Sequence, residues 1–199
     1  MKKIYVILAI IGFILVILFG LKFLCLEPEE TDAEKFSEEY SLVDKENVFV
    51  YRDIDEIIKI MENGTGIVYL GFPECPWCQF YVKYLNQVAK DVGVEKIYYF
   101  NIFEDRDNET EKYKHIVSIL NEYLQYDEEG NKKIFVPNVS FHIDGKIIGN
   151  DYETSLDTGG HKNPKDYWTD EKVNNLKNTI KVYMEQIEND LGICTDCNS

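Results

Sequence analysis

From Val48 onward, the hydrophobic positions alternate between short continuous runs and stripes at helical spacing. Continuous apolar runs are typical of buried strands, and apolar residues that recur every three or four positions are typical of amphipathic helices. The runs predict strands at 48–51, 66–70, 96–103, 134–143 and 146–149. The stripes predict helices at 54–63, 76–92, 109–126 and 170–191. This order predicts an α/β fold with a central mixed sheet flanked by helices.

Capping residues and glycines mark the ends of these elements. Asp53 can cap the first helix of this region, and Gly64 can stop it. Asp144-Gly145, between two apolar runs, is a strong signal for a two-residue hairpin turn. Thr169 can cap the last helix. The boundary signals therefore agree with the periodicity.

The N-terminal segment is apolar over residues 4–26 and is interrupted by one charge, at Lys22. A helix needs about 20 apolar residues to cross a bilayer, so residues 1–26 are predicted to form a single-pass membrane anchor. Lys2 and Lys3 precede this segment. Positive charge favours the cytoplasmic side, which predicts a cytoplasmic N-terminus and an extracytoplasmic domain.

Two other interpretations of this segment are a cleaved signal peptide and a lipoprotein signal with lipid on Cys25. The first expects small residues at a cleavage site, and the sequence Leu-Lys-Phe-Leu-Cys-Leu has none. The second is disfavoured by the bulky Leu24 immediately before the cysteine. A retained anchor at the cell membrane is therefore the favoured interpretation.

The chain after the apolar segment is strongly acidic. The formal net charge is −15, from 36 acidic and 21 basic residues, and every acid lies at or after Glu27. Such a surface disfavours nucleic acid as a partner, because phosphate binding needs clustered Lys and Arg. The dense acids over 27–46 predict a linker, parts of which can be helical because Phe36, Tyr40 and Val43 recur at helical spacing.

The folded domain is predicted at 47–191, followed by a cysteine-containing tail at 192–199. An extracytoplasmic domain lies in a compartment where disulfides persist. The five cysteines can therefore form disulfides, and four of them make two Cys-x-x-Cys pairs. The chemistry of the chain is therefore expected at its thiols.

The first pair, Cys75 and Cys78, lies where an apolar strand gives way to a helix. Positions three apart share a helix face, so the two sulfurs can form a disulfide. Pro76 suits the first helical position, where an N–H is not needed. Free backbone N–H groups and the helix dipole there favour a thiolate at Cys75. The pattern predicts thiol–disulfide exchange, and a static disulfide or two buried thiols is the alternative.

The order of elements, this cysteine pair and Val136-Pro137 before the hairpin together resemble the thioredoxin superfamily over residues 47–191. Gly-Phe-Pro-Glu-Cys-Pro-Trp-Cys after an uncharged strand is most similar to the thioredoxin-like group called bacteriocin transport accessory proteins. The resemblance implies a cis peptide bond before Pro137, facing the cysteines. It also implies that Val136 offers its backbone to a partner's extended chain. Trp77, between the two cysteines, is expected to cap the site as an apolar contact for partners.

The sequence departs from the thioredoxin pattern at three places. Thioredoxins bury an Asp six residues before the first cysteine, and Tyr69 stands there; a Tyr is a poor base at neutral pH. Glu74 would oppose a thiolate at its neighbour if the two groups lie close and poorly solvated. The residues between the cysteines, Pro76 and Trp77, are more similar to the Pro-Tyr of glutaredoxins than to the Gly-Pro of thioredoxins.

The leading functional hypothesis is a membrane-anchored thiol–disulfide oxidoreductase that acts on protein or peptide thiols and disulfides without a cofactor. Cys75 attacks or is attacked, and Cys78 resolves the mixed disulfide. The alternative is a non-catalytic accessory or binding module for secretion of bacteriocin-type peptides. A glutathione-dependent role is a third hypothesis, and the acidic surface disfavours that anionic tripeptide.

The second pair, Cys194 and Cys197, has three interpretations: a second redox pair, a local disulfide or appendage, and half of a zinc site with the first pair. The zinc site is disfavoured, because Pro76 fits a redox helix better, and no metal is predicted. The long segment 150–168 borders the active-site face in thioredoxin-like folds. Two interpretations of this segment stay open: it determines which partner proteins bind, or it is a surface loop without a function of its own.

Overall fold

The centre of the fold is a mixed sheet of five strands. The structure is a computed structural model that describes residues 4–5, 10–13, 30–152 and 160–192. The five strands are β1 (Phe49–Tyr51), β2 (Gly66–Gly71), β3 (Ile97–Asn101), β6 (Asn138–Ile143) and β7 (Lys146–Asp151). They lie in the order β1-β3-β2-β6-β7. The first three are parallel, and β6 and β7 run antiparallel to their neighbours.

Helices cover both faces of this sheet. They are α1 (Asp32–Glu39), α2 (Ile54–Asn63), α3 (Pro76–Val92), α4 (Phe103–Asp107), α5 (Glu111–Leu120), α6 (Pro164–Tyr167) and α7 (Asp170–Asp190). A 3₁₀ turn at Asn121–Tyr123 follows α5. After it, β4 (Gln125–Tyr126) pairs with β5 (Lys132–Lys133) in a separate two-stranded sheet. The mixed α/β architecture predicted from the sequence is confirmed.

The side chains of β2 show how the two layers of helices are held. Ile67 and Tyr69 belong to the core shared with α3 and α7, whereas Val68 and Leu70 belong to the core shared with α2 and α5. All six residues of β2 are buried. A strand buried on both faces is expected to be continuously apolar, because alternate side chains enter different cores.

The local boundary signals are confirmed. Asp53 caps α2 in a capping box with Glu56. The hairpin between β6 and β7 turns at Asp144 and Gly145, which both have positive φ (49° and 73°). Thr169 accepts a hydrogen bond from the N–H of Lys172 and caps α7. These signals depend on residues close in sequence, which is why they could be recognised in advance.

The acidic segment differs from the linker predicted over 27–46. From Asp32 onward it belongs to the same compact unit as the sheet, and Phe36 and Tyr40 are fully buried. The ring of Phe36 stacks on those of Tyr40 and Phe49, with centroids 4.3 Å and 3.9 Å away. Burial of the aromatic residues at helical spacing therefore fixes this segment to the domain, while the surrounding acidic side chains remain at the surface.

Helix α1 also meets the backbone of the edge strand β1. A carboxylate oxygen of Asp32 accepts a hydrogen bond from the backbone N–H of Tyr51 at 3.1 Å. The side chain of Asn47 accepts one from the N–H of Phe49 at 3.1 Å. Strand β1 pairs with β3 on its other side. The outward N–H groups of Phe49 and Tyr51 are therefore both occupied by side chains.

Two other regions differ from the sequence prediction. The helix expected over 109–126 ends at Leu120, and the short helix α4 precedes it. The strand expected from Ile134 begins at Asn138, while Ile134 packs into the core as part of an irregular segment. In both places long-range packing sets the boundary, and periodicity alone does not report it.

The unit Met1–Thr31 is helical at residues 4–5 and 10–13. Among the described residues, no helix is long and apolar enough to cross a bilayer. Most of the predicted anchor, residues 1–26, lies outside the described residues. The tail over 193–199 lies outside them as well.

Candidate functional site

The cysteine pair lies at the carboxyl end of the central strand β2. After Gly71 the chain turns, and the backbone N–H of Cys75 donates to the carbonyl oxygen of Phe72 at 3.2 Å. The N–H of Gln79 then donates to the carbonyl oxygen of Cys75 at 3.2 Å, which is the first turn of α3. The site is thus fixed at one end by the sheet and at the other by a helix.

Cys75 is the N-cap of α3. Its Sγ accepts a hydrogen bond from the backbone N–H of Cys78 at 3.3 Å, as a Ser or Asp oxygen does at other helix starts. Pro76 occupies the first turn of the helix, as predicted. Both cysteines are free thiols. A sulfur in this place receives helix N–H groups that stabilise negative charge.

The two thiols differ in exposure. Cys75 is 8% exposed and Cys78 is fully buried. A sulfur atom of another protein can therefore reach Cys75, whereas the buried Cys78 can take part only by reacting with Cys75. This difference agrees with the roles expected for the two residues.

The two thiols also differ in acidity. The hydrogen bond to the Cys78 side chain lowers the Cys75 pKa most, and burial opposes this effect. The backbone N–H groups of Cys78 and Trp77 and the charge of Arg106 also lower it, and all these effects together place the Cys75 pKa at about 7. Burial, followed by the nearby Cys75, raises the pKa of Cys78 well above its usual range. The thiolate therefore forms on Cys75, the outer thiol of the pair, and Cys78, the inner thiol, stays protonated.

Val136 lies beside Cys75, and Pro137 follows Val136 directly. The peptide bond between Val136 and Pro137 is cis, which confirms the expectation of a cis bond there. The thiol of Cys75 points to the carbonyl oxygen of Val136, 4.0 Å from Sγ. Within the described residues, the backbone N–H of Val136 has no hydrogen-bond partner. Pro137 is buried, whereas Val136 is half-buried and so partly open to solvent.

Trp77 forms the other side of the site. Its side chain is half-buried, and its ring packs edge-on against Tyr167 with centroids 5.3 Å apart. Tyr167 belongs to α6, in the second half of the segment 150–168, and its ring also meets His161 at 5.7 Å. Residues 153–159 of this segment lie outside the described residues. The described part does border the cysteine pair, through Trp77.

Sequence reasoning missed two residues of α4, Phe103 and Arg106, which lie beside Phe72. The ring of Phe72 packs against Phe103, with centroids 5.1 Å apart, and the guanidinium of Arg106 lies 4.8 Å from the Phe72 ring. Phe103 is 44% exposed. The available signal was the predicted strand ending near residue 103. If that strand is parallel to β2, the residues after it lie beside the residues after β2.

The second cysteine pair, Cys194 and Cys197, lies outside the described residues, so its three interpretations stay predictions. Among the described residues, no group of three or more His, Cys, Asp or Glu side chains is arranged to hold a metal ion. The described site therefore consists of Cys75, Cys78, Trp77, Val136 and Pro137, with Phe103 and Arg106 added by the structure.

The chain was compared with known proteins. No protein-family model matches it, and no curated protein matches it in sequence.

Proposed function

We propose that this protein is a thiol–disulfide oxidoreductase with a thioredoxin-like fold, which acts on disulfides and thiols of proteins or peptides through Cys75 and Cys78. The observation that carries the proposal is the arrangement of the pair at the start of α3. The outer sulfur accepts a helix N–H, and the inner sulfur lies buried one turn further along. A pair that only braced the fold would need neither the helix N-cap nor unequal acidity.

The proposed reaction has two steps. The Cys75 thiolate attacks one sulfur of a partner disulfide, a bond forms between them, and the other partner sulfur leaves as a thiolate and takes a proton. Cys78 then loses its proton and attacks Sγ of Cys75. The mixed disulfide breaks, the Cys75–Cys78 disulfide forms, and the second partner sulfur leaves as a thiol. The partner is reduced by two electrons, and the reverse sequence oxidises a dithiol.

The surroundings of Cys75 suit an extended polypeptide as the partner. The free N–H of Val136 and its carbonyl oxygen beside Cys75 can pair with the backbone of another chain, as in β-augmentation. The rings of Trp77 and Phe103 offer apolar contacts on two sides. Backbone pairing is largely independent of side chains, so it allows partners of several sequences.

A disulfide-exchange assay on the full chain tests this function. Reduction of insulin in the presence of dithiothreitol measures one direction, and oxidation of a dithiol peptide by the oxidised protein measures the other. We expect activity in at least one direction, abolished by Cys75→Ala and retained by Cys25→Ser, a matched loss of one thiol elsewhere. Equal rates for the wild type and Cys75→Ala would overturn the proposal.

We also propose that residues 4–26 anchor the protein in the cell membrane with the domain on the extracytoplasmic side. The apolar character of this stretch, interrupted only by Lys22, and the position of Lys2 and Lys3 support it. Protease added to intact cells should digest the domain, and alkaline carbonate should leave the chain with the membranes. Recovery of the full chain in the carbonate supernatant would refute the anchor.

A further inference from the structure

The hydroxyl of Tyr69 is a buried polar group close to the cysteine pair. Tyr69 lies on the central strand β2 and is fully buried. Its ring stacks on Tyr81 and Tyr99, with centroids 6.3 Å and 5.7 Å away. Within the described part of the chain, its oxygen makes no well-formed hydrogen bond. A buried hydroxyl without a partner costs about 1–3 kcal/mol, so its presence requires an explanation.

The other buried tyrosines of this layer are satisfied. The hydroxyl of Tyr40 donates to that of Tyr99 at 3.2 Å. The hydroxyl of Tyr81 donates to a carboxylate oxygen of Asp151 at 2.7 Å. Packing therefore does not prevent hydroxyls in this layer from finding partners. Tyr69 differs from its neighbours in what its oxygen faces.

Two observations give the direction of the Tyr69 side chain. A Cβ atom on Gly71 would lie 2.7 Å from Cζ of Tyr69 and would collide with its hydroxyl oxygen, so the ring extends over Gly71. Gly71 is the last residue of β2, next to the turn that carries the cysteines. Cys78, at the start of α3, lies close enough that it and Tyr69 influence each other's ionisation. The hydroxyl therefore lies beside the inner thiol and also near the hydroxyl of Tyr40.

Tyr69 is suited to give a hydrogen bond and unsuited to accept a proton. Burial, followed by the charge that Cys78 can carry, raises the Tyr69 pKa well above its usual range, so the phenol stays protonated. Cys78 has the opposite need. Its thiol must become a thiolate in a site where burial disfavours charge, and its interaction with Tyr69 lowers its pKa.

We propose that Tyr69 is a catalytic residue whose hydroxyl donates a hydrogen bond to Sγ of Cys78 as Cys78 becomes a thiolate and resolves the mixed disulfide. This inference rests on the proposed function. In the step, the Cys78 proton passes through water to the leaving partner sulfur, the Cys75–partner bond breaks, and the Cys75–Cys78 bond forms. Tyr69 keeps its own proton throughout, and no further oxidant or reductant is needed.

The two steps can be followed separately with 5,5′-dithiobis(2-nitrobenzoate), an aromatic disulfide that releases a coloured thiolate. The full chain is used with Cys25, Cys194 and Cys197 replaced by Ser, so that only the pair at 75 and 78 reacts. The first coloured thiolate reports attack by Cys75. The second reports attack by Cys78 on the mixed disulfide.

The decisive variant is Tyr69→Phe, which removes the hydroxyl and keeps the ring. We expect an unchanged first phase and a second phase about tenfold slower at pH 7, with its pH midpoint shifted upward, because a hydrogen bond to a charged group is lost. Tyr81→Phe is the matched control, since it removes a neighbouring buried hydroxyl that is already paired. It should leave both phases unchanged.

Each outcome decides between the two proposals. An unchanged second phase in Tyr69→Phe, or an equal slowing of both phases, would overturn the role of Tyr69 and leave the exchange function intact. Absence of the first phase in the parent chain would overturn both. If Tyr69→Phe does not fold, 3-fluorotyrosine at position 69 serves instead. Its more acidic hydroxyl should speed the second phase, and an unchanged or slower rate would refute the inference.

Discussion

The backbone N–H of Cys78 donates a hydrogen bond to Sγ of Cys75 over 3.3 Å, so one cysteine caps the helix that carries the other. This contact places the Cys75 sulfur at the positive end of the dipole of α3. Stabilisation of this kind is strongest for a charged sulfur. A thiolate at Cys75 therefore gains more from the helix than a disulfide does, which favours the reduced form of the pair.

The acidity of Cys75 should depend on its inner neighbour. The alkylation rate of Cys75 by iodoacetamide should follow its thiolate and rise with pH through a midpoint of about 7. In Cys78→Ala the midpoint should move upward, because the largest stabilising contact is lost, and stay below 9.0 because the helix N–H groups remain. Peptide mapping by mass spectrometry at each pH measures it. An unmoved midpoint would contradict the assigned cause.

Arg106 should assist Cys75 through its charge. Arg106→Gln is expected to raise the Cys75 pKa slightly and to slow its alkylation at pH 7 by less than about threefold, an effect that added salt should weaken. Arg52→Gln is the matched control, since Arg52 is the other arginine of the chain and lies over Tyr98. If both variants behave alike, the effect belongs to overall charge and not to Arg106.

The roles of the two thiols can be separated by trapping. Cys78→Ser should accumulate covalent complexes with partner proteins, because the attacking sulfur is present and the resolving sulfur is absent. Cys75→Ser should accumulate few, because the remaining thiol is fully buried. Non-reducing electrophoresis of cell extracts shows the complexes, and dithiothreitol should release them. Equal trapping by the two variants would contradict the assignment.

His142 should make stability depend on pH. It is fully buried on β6, and burial lowers its pKa from 6.5 to about 4. Because the folded pKa lies below the unfolded one, the unfolded chain binds the proton first as the pH falls. The free energy of unfolding should therefore drop by up to about 3 kcal/mol between pH 6.5 and pH 4.

The variant His142→Gln tests this pH dependence, since an uncharged amide can still hydrogen-bond to Ser140, which lies 2.8 Å from the histidine ring nitrogen. Urea denaturation at several pH values measures the slope. We expect His142→Gln to flatten it between pH 6.5 and pH 4. A variant with the slope of the wild type would show that other groups cause the acid sensitivity.

Gly145 should be far less replaceable than Gly130. Both have positive φ, but a Cβ on Gly145 would meet the backbone of Glu62 and Asn63 at the end of α2, whereas a Cβ on Gly130 meets nothing within 4 Å. Gly145→Ala should lower the free energy of unfolding by more than about 2 kcal/mol, and Gly130→Ala by about 1 kcal/mol. Similar losses, measured by urea denaturation, would argue against the close contact.

Much of the site could be predicted because its signals are local. The strand before Cys75, the proline after it and the three-residue spacing to Cys78 all lie within a dozen residues, and together they determine where the sulfurs lie. Val136 and Pro137 came from a family resemblance, and their distance from Cys75 is a long-range property. Arg106 shows the limit, because its position near Cys75 depends on the pairing of β2 with β3 and not on a local pattern.

The acidic segment shows the same limit in the fold. Around Phe36 the acids dominate the local composition, so a composition-based prediction favours a linker. Burial of Phe36 depends on the rings of Phe49 and Tyr99, which come from other parts of the chain. Helical spacing of the aromatic residues was the one local sign of this packing, and it gave the face that is buried without giving the partner.

The bond from Tyr51 to the carboxylate of Asp32 has a consequence for self-association. An open strand edge invites another chain to add a strand, and repeated addition leads to aggregates. Here Asp32 takes one outward donor of β1 and Asn47 takes another, while the acids of α1 surround that rim with negative charge. The segment before β1 therefore blocks this edge of the sheet, so that another copy of the chain cannot add a strand there.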